Sequence, residues 1–156
     1  MTANYLSLVK ELNAAFGTTK WISLTLPSSF WYLQGFDVAG MADYVDWFNF
    51  MGYDIHGTWD STSKFTSPYI RPHTNRTEIP EGLDLLWRAG VAPEKVTLGL
   101  GWYGRSFTLS DPSCTTPGIC IFSAGGQPGD CTNSSGTLSN AGMSTFLVFM
   151  WLTNMA

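Results

Sequence analysis

The chain has 156 residues, 44% of them hydrophobic and only 13% charged, which is enough for one buried core of ordinary domain size. A formal net charge of -4, with eight Lys and Arg that form no cluster, excludes the basic track that a nucleic-acid backbone demands. An aromatic share of 15% points instead to a ligand with flat apolar faces, a sugar or another ring, or to a large core.

In chain order, Tyr5, Leu8, Val9, Leu12 and Phe16 recur at helical spacing, which predicts an opening amphipathic helix closed by Gly17. "WISLTL", residues 21–26, alternates apolar and hydroxyl residues up to Pro27 and reads as a strand, followed by an aromatic loop, "SSFWYLQGFD". A short helical stretch around residues 38–44 leads to "DWFNFM", residues 46–51, apolar enough for a strand covered on both faces. A polar loop runs from 58 to about 77. Ile79, Leu83, Leu86 and Trp87 then mark a helix with Gly90 past its end, and "KVTLGLG", residues 95–101, is the third strand. This alternation predicts an α/β fold with a parallel sheet and right-handed crossovers, whose chemistry collects at the carboxyl ends of the strands. From Ser110 the rhythm stops. The Gly/Pro/Ser-rich stretch to about residue 137 reads as an insertion or lid with little regular structure.

Cys114, Cys120 and Cys131 fall within 18 positions, without the C-x-x-C pair or neighbouring histidines of a zinc site, and read as a stapled loop or as three reduced thiols. Asn75-Arg76-Thr77 and Asn133-Ser134-Ser135 are glycosylation acceptor patterns in polar, turn-rich stretches. Together with the cysteine loop they favour the secretory route. The opening residues do not form a secretory leader, so a secreted protein would have its true start elsewhere. "FLVFMWL", residues 146–152, is far shorter than the roughly 20 apolar residues of a membrane span, so no membrane partner is expected.

Three constellations compete for function. Gly99-Leu100-Gly101-Trp102-Tyr103-Gly104 matches the dinucleotide fingerprint in letters, but "RSFTLSDPS" behind it carries no helical stripe to aim amide groups at a pyrophosphate. Asp54, His56, Asp60 and His73 match no metal-ligand spacing, and neither a metal nor a cofactor is expected. In "FMGYDIHGTWD", Tyr53 and Asp54 leave a strand end directly and Trp59 follows, while the next strand delivers Tyr103 and Arg105. Flat rings stack on the C–H face of a sugar, and charged and hydroxyl groups bond its polar edge. The competing structural reading makes these rings core and pairs Arg105 with an aspartate.

"DWFNFMGYDIHGTWD" resembles the sixth-strand M-x-Y-D signature of glycoside hydrolase family 18, and "VTLGLGWYGRSF" resembles its seventh-strand Y-G-R motif. Residues 113–139 are similar to the insertion of fungal chitinases of the killer-toxin type, and residues 23–37 fit that group's fifth strand. The resemblance implies strands five to seven of a TIM (β/α)8 barrel over residues 1–109, part of the insertion domain over 110–140, and an aberrant tail over 141–156. It also implies substrate-assisted, retaining hydrolysis of β-1,4-linked N-acetylglucosamine, in which the substrate's acetamide oxygen attacks the anomeric carbon. By the same resemblance Tyr53 bonds the acetamide, Asp54 holds nearby sugar groups and Met51 lines the acetamide pocket. Trp59 offers a stacking face on the leaving-group side, and Tyr103 and Arg105 bind sugars toward the other end.

The family's general acid is the glutamate of a D-x-x-D-x-D-x-E string, and no such string occurs in the chain. Asp43-Tyr44-Val45-Asp46 continues into Trp47-Phe48-Asn49-Phe50 instead, and Glu11, Glu78, Glu81 and Glu94 lie on predicted helices or connections. The expectation is a piece of a secreted chitinase whose acid lies upstream and whose tail translates a retained intron, inactive alone. The alternatives are a non-catalytic chitin- or oligosaccharide-binding protein and a truncated product without function.

Overall fold

A computed structural model describes residues 2–144, which divide into two compact units, residues 2–55 with 74–100 and residues 56–73 with 101–144. The 141–156 tail lies, from residue 145 on, outside the described residues.

The first unit opens with α1 (Thr2–Phe16), ended by Gly17 at φ 54° as the sequence predicts. Its buried side is not quite the predicted stripe. Val9 is fully buried and Tyr5, Leu6 and Leu12 pack beside it, whereas Leu8 and Phe16 are 51% and 39% exposed. Leu6 replaces Leu8 because the helix presents the i, i+3 and i+6 positions around Val9 inward.

Three strands form a parallel sheet in the order β1 (Ser23–Leu26), β2 (Trp47–Met51), β3 (Val96–Gly99). The register sets Leu24 beside Phe48 and Leu26 beside Phe50, and on the other side Val96 beside Phe48 and Leu98 beside Phe50. Phe48, Phe50 and Leu26 are completely buried. With Met41, Val9 and Leu86 they make the core. The intervening residues of β2, Trp47, Asn49 and Met51, are only half-buried, so β2 is covered on one face rather than two. On that second face Asn49 Oδ1 accepts hydrogen bonds from Trp47 Nε1 and Thr97 Oγ1, which orders a row of polar and aromatic groups.

Between β1 and β2 the predicted aromatic loop contains a single helical turn, α2 (Phe30–Leu33), and then α3 (Val38–Ala42), capped by Asp37 Oδ1 accepting from the Gly40 amide at 2.9 Å. Asp46 accepts the Ile22 amide at 2.6 Å and so ties the entrances of β1 and β2 together. Lys95 Nζ donates to the carbonyls of Ala42 and Val45, closing the exit of α3. α4 (Glu78–Arg88) carries Leu86 into the core, while Trp87, predicted inward, is 37% exposed.

The second unit is antiparallel. β4 (Tyr103–Arg105) pairs with β7 (Thr137–Ser139), and β5 (Phe107–Leu109) pairs with β6 (Phe122–Gly125). The stretch expected to hold little regular structure supplies one short strand to each ribbon. A Cys114–Cys120 disulfide staples it, and Cys131 is free and exposed. The polar loop is also ordered: Phe122 donates to the Pro68 carbonyl at 2.8 Å and Ile70 to the Cys120 carbonyl at 2.9 Å. No helix among the described residues is long and apolar enough to cross a membrane.

Candidate functional site

β2 delivers Met51 at its carboxyl end, and the chain then turns through Gly52, Tyr53 and Asp54. The side chains of Met51, Tyr53 and Asp54 meet in a cavity of about 480 Å³, whose walls also include Thr25, Ser28, Ser29, Tyr32 and Phe36. Two sequence features set the Tyr53 ring. First, β3 ends on Gly99, paired with Met51, where an added Cβ would lie 3.0 Å from Tyr53 Cε1 and 2.9 Å from the Phe50 carbonyl oxygen. The tyrosine ring can thus lie directly over backbone, a position that any other residue at 99 would fill. Second, Asp54 has φ 54°, a left-handed conformation that costs a non-glycine residue about 1–3 kcal/mol, less for aspartate than for most. Tyr53 and Asp54 both line the cavity.

The mouth of β1 contributes residues that no sequence signal singles out. Ser29 Oγ is buried with no hydrogen-bond partner among the described residues, and Ser28 is buried beside it. Because "SSFWYLQ" carries no period or charge, nothing marks these hydroxyls in advance. The register of β1 on β2 brings them to the same strand end as Met51.

The remaining site candidates belong to the second unit. Trp59 sits in a 3₁₀ turn, Thr58–Thr62, whose base is a nearly inaccessible pair, His56 Nδ1 to Asp60 Oδ2 at 2.7 Å. Gly57 is extended at φ −172°, and an added Cβ there would overlap the Trp59 ring, so the indole lies back on the chain that precedes it. β4 places the Arg105 guanidinium carbon 5.0 Å from the Trp59 ring centroid and 5.1 Å from that of Tyr103. Arg105 Nη1 donates to Thr137 Oγ1 on the paired strand at 2.6 Å. Tyr103 in turn stacks on His73 with centroids 5.0 Å apart, and its carbonyl lies 3.0 Å from His73 Nε2. Cation–π contacts of this kind contribute about 0.5–2 kcal/mol each, depending on desolvation. Trp59, Tyr103 and Arg105 are all half-buried, so the rings are a supported surface rather than core.

Of the predicted site residues, Met51, Tyr53 and Asp54 share one cavity in the first unit, and Trp59, Tyr103 and Arg105 share one cluster in the second. The dinucleotide reading fails in the geometry as well, since β3 ends at Gly99 and the next element, β4, is a strand. Asp46, in the nearest approach to an acidic string, is engaged with the Ile22 amide, and the four glutamates lie on α1, α4 and the 3₁₀ turn before β3.

The family model for glycosyl hydrolases family 18 matches residues 2–154. The chain is 39% identical over 149 residues to a probable chitinase, LysM11, of Penicillium expansum, covering 88% of this chain and 13% of that protein. It is 37% identical over 139 residues to the killer toxin subunits alpha/beta of Kluyveromyces lactis, covering 89% of this chain and 12% of that protein. Among solved structures, the Ostrinia furnacalis Group IV chitinase in complex with allosamidin superposes with a TM-score of 0.78 at 28% identity, over 94% of this chain and 41% of that one. Human YKL-39, described as a pseudo-chitinase with retained chitooligosaccharide binding properties, superposes with a TM-score of 0.76 at 25% identity, over 94% and 44%. The chain thus spans about an eighth of these two curated relatives and less than half of the two solved chains.

Proposed function

The chain belongs to glycosyl hydrolase family 18, with fungal chitinase and killer-toxin relatives, and from that membership we propose that it carries the N-acetylglucosamine-binding part of a chitin-degrading domain. The observation that carries this reading is the cavity at the end of β2, where Met51, Tyr53 and Asp54 converge. A hydroxyl and a carboxylate beside a thioether and aromatic rings suit an acetamide: the polar groups bond its C=O and N–H, and Met51 covers its methyl. Tyr53 donates to the acetamide oxygen and Asp54 orients the N–H, so that in the substrate-assisted reaction the oxygen is aimed at the anomeric carbon. Trp59, Arg105 and Tyr103 give the second unit a stacking surface for sugar rings.

Hydrolysis also needs a proton on the leaving oxygen. These residues include no D-x-x-D-x-D-x-E string, and each glutamate sits on a helix or its connection. Removing a general acid commonly costs about 10²- to 10⁴-fold. The 156-residue polypeptide therefore binds oligosaccharide without turning it over, as a pseudo-chitinase such as human YKL-39 retains chitooligosaccharide binding. We further read β1, β2 and β3 as strands five to seven of a (β/α)8 barrel within residues 1–109, and residues 110–140 as part of an insertion. Among the described residues the three-stranded parallel sheet has no partner strand at either edge, which supports the barrel reading because closure would pair both edges. The disulfide supports an extracellular setting.

The test is retention on chitin beads alongside incubation with a fluorogenic chito-oligosaccharide. Retention that weakens in Trp59→Ala, with no product release, is expected. Product release by the pure polypeptide would overturn the non-catalytic reading, and absence of retention would overturn the binding one.

A further inference from the structure

Two asparagines in the chain begin an Asn-x-Ser/Thr tripeptide, and their surroundings differ. Asn75 stands before α4, half-buried, with both ends of its carboxamide in use. Its Oδ1 accepts the Thr77 amide at 2.9 Å, and its Nδ2 donates to Glu78 Oε2 at 2.5 Å. Its carbonyl also accepts the Ile79 amide at 3.0 Å. This is a helix-entry device: one side chain closes the turn that starts α4 and holds the first-turn carboxylate.

Asn133 sits at the tip of a turn between β6 and β7, exposed, at φ 45°. The turn is fastened by the groups around it. The Asn133 amide donates to the Gly129 carbonyl at 2.8 Å, Thr132 Oγ1 to the Thr137 carbonyl at 2.7 Å, and Ser135 Oγ to the Gly126 carbonyl at 3.0 Å. The Asn133 carboxamide itself makes no hydrogen bond among the described residues. Asparagine tolerates the left-handed conformation that the tip requires.

We propose that Asn133 is an N-glycosylation site and that Asn75, despite the same tripeptide pattern, is not a site the folded protein accepts. In the transfer, a bond forms between Asn133 Nδ2 and the anomeric carbon of an N-acetylglucosamine at the reducing end of a lipid-pyrophosphate-linked oligosaccharide. The bond from that carbon to the pyrophosphate breaks, the pyrophosphate lipid leaves with the electron pair, and one amide proton is lost. No oxidation state changes. Because Ser135 Oγ is bonded to Gly126 in the finished turn, transfer precedes closure of the turn, and the fold then has to accommodate the product. At Asn133 it does so without loss, since the substituted nitrogen held no bond. At Asn75 the sugar takes one of the two hydrogens of a nitrogen already in contact with Glu78 and brings a pyranose to the half-buried start of α4, where the helix entry would have to open.

The inference stands apart from chitin binding, and its test needs no activity. The full chain is expressed behind a secretion leader in a eukaryotic host, and tryptic glycopeptides are read by mass spectrometry from both the secreted and the microsomal material. Secreted protein is expected to carry an N-acetylglucosamine-based glycan on the Asn133 peptide and an unmodified Asn75 peptide. The gel shift on endoglycosidase treatment is expected to vanish in Asn133→Gln and persist in Asn75→Gln. An unmodified Asn133 peptide in both fractions would overturn the assignment, and so would secreted protein glycosylated at Asn75. Peptide-level readout on the unmutated chain keeps the result independent of whether either variant folds.

Discussion

The parallel sheet and the antiparallel ribbons are held together by different means. In the first unit, cohesion comes from apolar burial: Phe48, Phe50 and Leu26 on adjacent strands meet Val9, Met41 and Leu86 from three helices, with none of these more than 1% exposed. In the second unit only Cys120 and Phe122 are buried hydrophobic residues among those described, and order comes from a disulfide, a buried His56–Asp60 pair, and aromatic and guanidinium contacts. Burial acts through many contacts at once and tolerates the loss of any one polar bond. A polar scaffold depends on a few partners, each of which is costly to lose once desolvated.

The comparison is broken most severely at Phe50. Phe50→Ala should destabilise the first unit by about 3–5 kcal/mol, read as a fall in the urea midpoint. A loss under about 1 kcal/mol would mean that this face is not the working core. In the second unit the largest effect is expected from Asp60→Ala, which removes the carboxylate from a buried imidazole at a cost of about 1–3 kcal/mol. Amide exchange should quicken across Thr58–Thr62 while β1, β2 and β3 keep their protection. Arg105→Ala, which uncovers the rings of Trp59 and Tyr103, should cost about 1 kcal/mol and red-shift and broaden Trp59 fluorescence, whereas Arg105→Lys should restore only part of it because the planar fork is gone.

The smallest effect sharpens the contrast at the surface. The Ser113 hydroxyl and then its amide hold the fully exposed Asp111 carboxyl below its usual range. A depressed folded-state value favours the native protein above the unfolded-state pKa, and that contribution fades as pH falls through the folded one. In Ser113→Ala, the Asp111 titration followed by carboxyl NMR should move upward, and an unmoved curve would dissociate the serine from the shift.

Most of the first unit was legible in the sequence because its signals are local. A 3.6-residue stripe closed by Gly17, a mostly apolar run for β2, and Gly90 after α4 each act within a dozen residues. The misplacements at Leu8 and Trp87 are rotations of an otherwise right helix, since the packing partner decides which side of an apolar stripe is buried. The second unit was opaque for the opposite reason. β4 finds β7 across more than thirty positions, and three-residue strands such as Thr137–Ser139 leave no alternation to detect. The site divides in the same way. Tyr53 and Asp54 follow visibly from a strand end, and Trp59, Tyr103 and Arg105 stand out as chemical types. Ser29, and the room that Gly99 leaves for the Tyr53 ring, depend on strand register, which one sequence does not display.

The central claim is that the cavity of Met51, Tyr53 and Asp54 receives an acetamide. Saturation-transfer NMR of chitotriose with the pure polypeptide tests it most directly. The acetyl methyl protons should take up the strongest saturation, and Tyr53→Phe, which removes one hydrogen bond of about 1 kcal/mol, should diminish it several-fold while leaving the fold intact. Saturation confined to the ring protons, or a methyl signal indifferent to that substitution, would contradict the account.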